Sequence, residues 1–148
     1  MLSISHALTG AFLASKLPSP AVYLPLTLVS HYLEDWIPHW DVGTGLSNGH
    51  RRRLTAFGLE IVDLAITLSL VYWWWQAGQP IWQWHVWLGT LMGLLPDFLE
   101  APRNFLKWEP GFLRPINNFH QNFHHSTPHK WVGLGPQLIL IAAIWWLK

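Results

Sequence analysis

Residues 54–76 read LTAFGLEIVDLAITLSLVYWWWQ, a largely apolar run broken by two carboxylates, Glu60 and Asp63. A run of this length meets the roughly 20 residues a helix needs to cross the hydrocarbon core of a bilayer. Its end, Trp73-Trp74-Trp75, suits an aromatic belt at the membrane–water interface. A carboxylate inside such a run costs about 2.5–3.5 kcal/mol at the bilayer centre, so Glu60 and Asp63 need compensation.

The pattern recurs outward from this stretch. Residues 131–147 are apolar apart from Gln137, and 81–99 form a Trp-rich run with His85 near its start. Residues 21–37 lie between Pro20 and Pro38, and 4–17 are apolar but short for a full span. The expected architecture is one all-α domain over residues 1–148. It is an integral membrane helical bundle of four to five transmembrane helices, with a His-rich cytoplasmic loop at 101–130. Hydrophobic residues make up 51% of the chain and charged residues 11%, about half the usual charged share for a soluble domain. The mean hydropathy of +0.19 is held down by the polar insertions. A soluble bundle is the alternative, but the runs are too long and too rich in Trp for ordinary core helices.

Arg51, Arg52 and Arg53 precede the opening stretch, and Arg103, Lys107, Arg114 and Lys130 lie in the long loop. The positive-inside rule puts both groups on the cytoplasmic side of a plasma or inner membrane. Five spans then leave the N-terminus inside and the C-terminus outside. The Arg triplet reads as a topology signal rather than a phosphate site. The opening Met-Leu-Ser-Ile-Ser-His has no basic region, so no cleaved signal peptide is expected. A net charge of +1 without a basic stripe argues against a nucleic-acid partner. The partners expected are the lipid bilayer and a lipid-like or phosphoester substrate; composition is silent on oligomeric state.

Six acidic residues, Glu34, Asp35, Glu60, Asp63, Asp97 and Glu100, sit in or beside the apolar runs. The expected topology brings all six to the cytoplasmic side, with Glu60 and Asp63 about 9–14 Å deep at 1.5 Å per residue. Most of the histidines reach the same layer. With no cysteine, any metal must use His, Asp, Glu or water. His31 and Asp35 at i, i+4 face the same way on a helix and can share one ion, or simply pair with each other. His39 and Asp41 follow just past Pro38. Glu60 and Asp63 at i, i+3 could be ligands, a general base or groups that orient histidines. Their alternative is pairing with the Arg triplet. His120, His124, His125 and His129 form the densest imidazole cluster. His85 and His50 read as structural.

Four segments resemble the YdjM-like membrane-bound metal-dependent hydrolases. Leu94-Leu95-Pro96-Asp97 with Pro102 resembles that family's Leu-Leu-Pro-Asp-x-Asp-His-Pro motif. His120-Gln-Asn-Phe-His124-His125-Ser126 resembles its His-Arg-Gly-Phe-Thr-His-Ser motif. Ser30-His31-Tyr-Leu-Glu-Asp35 is similar to its Ser-His-x-Leu-x-Asp helix, and His6-Ala-Leu to its opening His-Leu-Leu. Two features depart from the family. The Ser-His-x-Leu-x-Asp segment comes early here, and Glu100 stands near the place of an Asp-His pair.

The resemblance implies a helical, zinc-dependent membrane hydrolase; the phosphoester substrate comes only from a remoter fold-level analogy with helical zinc phospholipases. Combined with the residues themselves, the expected ligands are His6, His31, Asp35, His39, Asp97, His120 and His125, for one or two divalent ions. Glu100 or Glu60 is the expected general base, and Asp41, Asp63, His124 and His129 support the site. The rival readings are a histidine-box di-iron oxygenase or desaturase, with iron as the metal, and a non-catalytic metal-binding or transport protein.

Overall fold

The computed structural model describes residues 1–46 and 49–148. Their regular structure is helical: α1 (Ser3–Lys16), α2 (Pro20–Trp36), α3 (Arg53–Val71), α4 (Trp84–Ala101), α5 (Arg114–Phe123) and α6 (Lys130–Leu147). One π-helical turn, Tyr72–Gln76, extends α3 and another, Pro102–Leu106, extends α4. The chain is all-α. Two helices, Arg53–Gln76 and Lys130–Leu147, are long and apolar enough to cross a membrane. The other expected spans fall short because α1 is brief and because α2 and α4 carry the polar residues described below.

The segment 101–130, expected as a loop, contains α5. Pro115 in its first turn presets a helical φ. Asn117 and His120 face inward, while Ile116 and Phe119 face out. The periodicity is amphipathic, and the inward face is polar.

Helix α1 runs through the middle, packed chiefly on α4 and also against α2, α3 and α6. Nine of its residues are buried, among them His6, Ala7, Gly10, Ala11 and Ala14. Small side chains permit this. A Cβ on Gly10 would collide with the Gly89 carbonyl, and one on Gly93 with the carbonyl of His6. Gly89-Thr-Leu-Met-Gly93 is therefore a small-residue seam along which α4 meets α1 backbone to backbone, as helices do in lipid. The seam sets the distance between His6 and everything α4 carries.

Beside an apolar core cluster of Leu8, Ala11, Val71, Val86 and Ile144, several helices bury polar residues and expose apolar ones. On α2, Tyr23, Thr27, His31, Glu34 and Asp35 are buried, whereas Val22, Leu26, Val29, Leu33 and Trp36 form an exposed stripe at i, i+4, i+7. On α6, Gly133, Gln137 and Ile144 are buried and Ile139 is 73% exposed. Gln137, the lone polar side chain in the apolar run of α6, donates to the Trp40 carbonyl (2.8 Å) and accepts from the Leu2 N–H (2.8 Å). It thereby ties α6 to the start of α1 and to the segment after α2.

That segment is the other fastening point. The His39 N–H donates to the His125 carbonyl (3.1 Å), Thr127 N–H to the His39 carbonyl (2.7 Å), and His125 N–H to the Asp35 carbonyl (3.0 Å). The resulting parallel bridge between His39 and Ser126 lays the chain after α5 along the chain after α2.

Candidate metal centre

Asp35 lies at the centre of the bundle, with a fully buried side chain. Its two oxygens face different groups. Oδ2 is 2.9 Å from His120 Nε2 and 3.5 Å from His31 Nε2. Asp97 Oδ1 completes this group, 3.9 Å from His31 Nε2 and 3.7 Å from His120 Nε2. Oδ1 is 3.6 Å from His39 Nε2 and 3.1 Å from His6 Nε2. On that side His39 and His124 bring their Nε2 atoms to 3.2 Å, each also 3.2 Å from Asp41 Oδ2. The described residues thus contain two groups able to hold a metal ion, His31/Asp35/Asp97/His120 and Asp35/His39/His124, and Asp35 belongs to both.

The spacings fit metal ligands. In a tetrahedral site with bonds of about 2.0–2.1 Å, ligand atoms stand about 3.3–3.4 Å apart. The histidine–histidine and histidine–Asp35 separations scatter around that value. The Nδ1 positions point the same way. His31 Nδ1–H donates to the Gly93 carbonyl (2.7 Å) and His39 Nδ1–H to the Ile37 carbonyl (2.9 Å). Glu100 Oε2 stands 2.9 Å from His120 Nδ1, and Glu34 Oε2 stands 2.9 Å from His6 Nδ1. His31 and His39 thereby keep a proton on the outward nitrogen and turn Nε2 inward, and the carboxylates behind His120 and His6 suit the same orientation. This is how proteins orient metal-ligating histidines. Nε2 atoms facing each other at 3.2 Å, as in His31–His120 and His39–His124, call for a proton or a metal ion between them. Asp41 Oδ2 is buried between the two imidazoles, a position open to a ligand as well as to an acceptor.

Protons and the chain's own amine offset part of this charge. The Met1 α-amino group ion-pairs with Asp35 Oδ1 and lies 2.9 Å from His6 Nε2. Burial works against a charged His120, but hydrogen bonds to Asp35 and Glu100 outweigh it and raise its pKa to about 10. Burial also opposes charge on His124, where Asp41 prevails and the pKa rises; at His39 burial prevails and the pKa falls.

The supporting elements follow from local sequence. His31 and Asp35 share one face of α2 at i, i+4, and His39 continues that row past the end of the helix. Pro38 interrupts the helix there, and the bridge to Ser126 holds His39 instead. Tyr32 packs edge-on against Phe119 (5.2 Å) and His120 (5.9 Å), seating α5 on α2. Asn117 donates to Glu109 (2.9 Å), which also pairs with Arg103 and Arg114. Arg51 donates to the carbonyls of Asp41 and Val42 and covers the Trp40 ring at 5.0 Å.

Several residues expected at the site lie away from the two groups or beside them in other contacts. His125 is exposed, and it is His124 that turns inward. Helix α5 ends at Phe123, and His124 takes an extended conformation (φ −80°, ψ 101°), so the helical spacing from His120 no longer applies. His129 is exposed just before α6. Glu100 stands behind His120 and pairs with Arg103, a position that orients the imidazole. Glu60 accepts from Ser3 Oγ (2.6 Å) and Asp63 from the Ser3 N–H (2.7 Å), so both hold the start of α1 and Asp63 caps it. The Gly93 carbonyl, Glu34 as the anchor of His6, and the Met1 amine are parts that sequence reasoning missed. The Gly89–Gly93 spacing was the one available signal among them.

The fold and site define a helical protein whose core is a paired His/carboxylate cluster able to hold metal. The chain matches no protein-family model, no curated protein and no solved structure.

Proposed function

We propose that this chain is a four- to five-span membrane protein that uses two metal ions, zinc in the first instance, to hydrolyse a phosphoester or lipid-like substrate at the cytoplasmic face. The observation that carries this reading is the sharing of Asp35 between two His/carboxylate groups, the layout of a two-metal site. Membrane residence is supported by the exposed apolar stripes of α2, α3 and α6 around a polar core. A relationship to the YdjM-like hydrolases draws support from the meeting of His6, His31, Asp35, Asp97 and His120, which carry most of the resemblance.

Bound divalent ions would polarise a phosphoryl oxygen and make water a nucleophile near neutral pH. The chain's own residues do the rest. His31, His39, His120 and His124 are held as neutral donors by their Nδ1 partners or by exchange of a proton for metal. Asp97, the most accessible carboxylate of the first group, faces a cavity of about 400 Å³ that Asp41 and His124 also line. Glu60 lies on the same cavity and can accept a proton there.

The test uses protein purified in detergent and loaded with zinc, with bis-p-nitrophenyl phosphate and p-nitrophenyl phosphate as reporters. Chelator-sensitive turnover that falls at least 100-fold in Asp97→Asn supports the reading. Turnover indifferent to chelator and to Asp97→Asn refutes it. Stoichiometric iron with oxygen-dependent turnover would replace it with the oxygenase reading.

A further inference from the structure

The cavity beside the metal centre has walls of two kinds. Its floor is acidic, with Asp41, Asp97, Glu60 and Glu100. Its side is apolar, built from Phe57, Ile61 and Leu64 of α3, Phe98 of α4 and Phe105 of the π-helical turn after α4. Phe57 and Phe105 meet edge to face at 5.5 Å. At the start of α3, Arg53 also lines the cavity. Among the described residues it enters no ion pair, whereas Arg103 is held by Glu100 and Glu109.

On α3 these residues form one stripe. Arg53, Phe57, Ile61 and Leu64 follow at i, i+4, i+8 and i+11, a rise of about 16 Å at 1.5 Å per residue. The stripe begins with a cation and continues apolar. The cavity's apolar wall is also part of the outer surface: Phe57 and Ile61 of the stripe are 46% and 51% exposed, and Phe98 of α4 39%. A cavity wall that is at the same time the exterior of the bundle is an opening to the side, between α3 and α4.

We propose that this cavity takes an amphiphilic phosphate, a phosphate head joined to a long apolar tail, admitted sideways from the bilayer. The proposal rests on the metal-centre reading above. The phosphate lies between Arg53 and the metal ions, and the tail runs along the α3 stripe into the lipid. Head binding depends on metal, because the acidic floor by itself repels an anion. A cavity of about 400 Å³ falls within the range of small-molecule sites and takes the head and the start of the tail; the exposed stripe carries the remainder. A water-soluble phosphate gains nothing from an apolar side wall open to lipid.

The test is native mass spectrometry of zinc-loaded protein released from detergent, titrated with three probes. Dioctanoyl phosphatidic acid has head and tail, dioctanoylglycerol only the tail, and glycerol 3-phosphate only the head. The proposal expects dioctanoyl phosphatidic acid to bind at least tenfold more tightly than either of the others. It also expects that preference to fall at least tenfold on metal removal, in Arg53→Gln and in Leu64→Trp, which fills the groove. Equal binding of dioctanoylglycerol would mean a lipid annulus without a head site and overturns the proposal. Equal binding of glycerol 3-phosphate would mean a soluble-phosphate site and also overturns it. Hydrolysis is followed in the same samples. Preferential binding without turnover leaves this inference standing and removes the hydrolase reading. Turnover of glycerol 3-phosphate with no tail preference does the reverse.

Discussion

Gly93→Ala tests the link between helix packing and the metal centre. Gly93 does two things at once: its carbonyl accepts the His31 Nδ1–H at 2.7 Å, and its missing side chain lets α4 touch the His6 carbonyl. A Cβ there would fall well inside the 3.0 Å below which real Cβ contacts are not seen, and its obstacle is backbone that cannot rotate away. Helices α1 and α4 would have to part locally by more than about half an ångström. Overpacking of this kind costs about 1–3 kcal/mol. The same displacement moves His6 and the anchor of His31 beyond the roughly 0.5 Å tolerance of a functional constellation. Disturbing the partners that orient metal ligands typically costs 10–100-fold in affinity. Gly93→Ala should therefore lower the melting temperature and weaken zinc binding by at least tenfold in a chelator competition. Gly58→Ala, whose Cβ would meet nothing within 4 Å, should leave both unchanged or slightly raise stability. Native zinc affinity in a folded Gly93→Ala protein would refute the coupling of seam and site.

Two further outcomes follow from the site geometry. His124→Ala should lose one of two bound ions, whereas His125→Ala should keep both, as read by elemental analysis of purified protein. Metal binding at pH 7 should release protons, seen in calorimetry as a binding enthalpy that depends on the ionisation enthalpy of the buffer. The metal-free His120 has a pKa of about 10 and must deprotonate to ligate, so affinity should rise as pH goes from 7 toward 10 and fall below 7. The sign for stability is opposite. A folded pKa raised from 6.5 stabilises the metal-free chain fully below pH 6.5, and that stabilisation is lost as pH rises through about 10.

Much of this architecture can be read from residue patterns. The run 54–76 forms a continuous helix with its π-helical extension, because no Pro interrupts it and its residues are apolar on all but one face. His31 and Asp35 lie together because i, i+4 spacing on a helix requires it. Other features depend on long-range packing that local pattern does not encode. Glu34 adjoins Asp35 in sequence, yet it serves His6 of another helix. His124 rather than His125 faces Asp41 because the chain leaves α5 at Phe123 and pairs with the segment after α2, a contact between residues about 85 apart. Glu60 and Asp63, whose spacing suits a ligand pair, instead hold the start of α1. Polar residues at helical spacing specify a shared face; which neighbour occupies it depends on tertiary packing.

The central claim is that Asp35 bridges two metal ions. Its most direct test is the metal content of protein purified in detergent, native against Asp35→Asn, which keeps the shape of the side chain and removes the charge. Two divalent ions per native chain and loss of both in Asp35→Asn are expected. A native protein without stoichiometric metal, or an Asp35→Asn protein that still holds two ions, would contradict it.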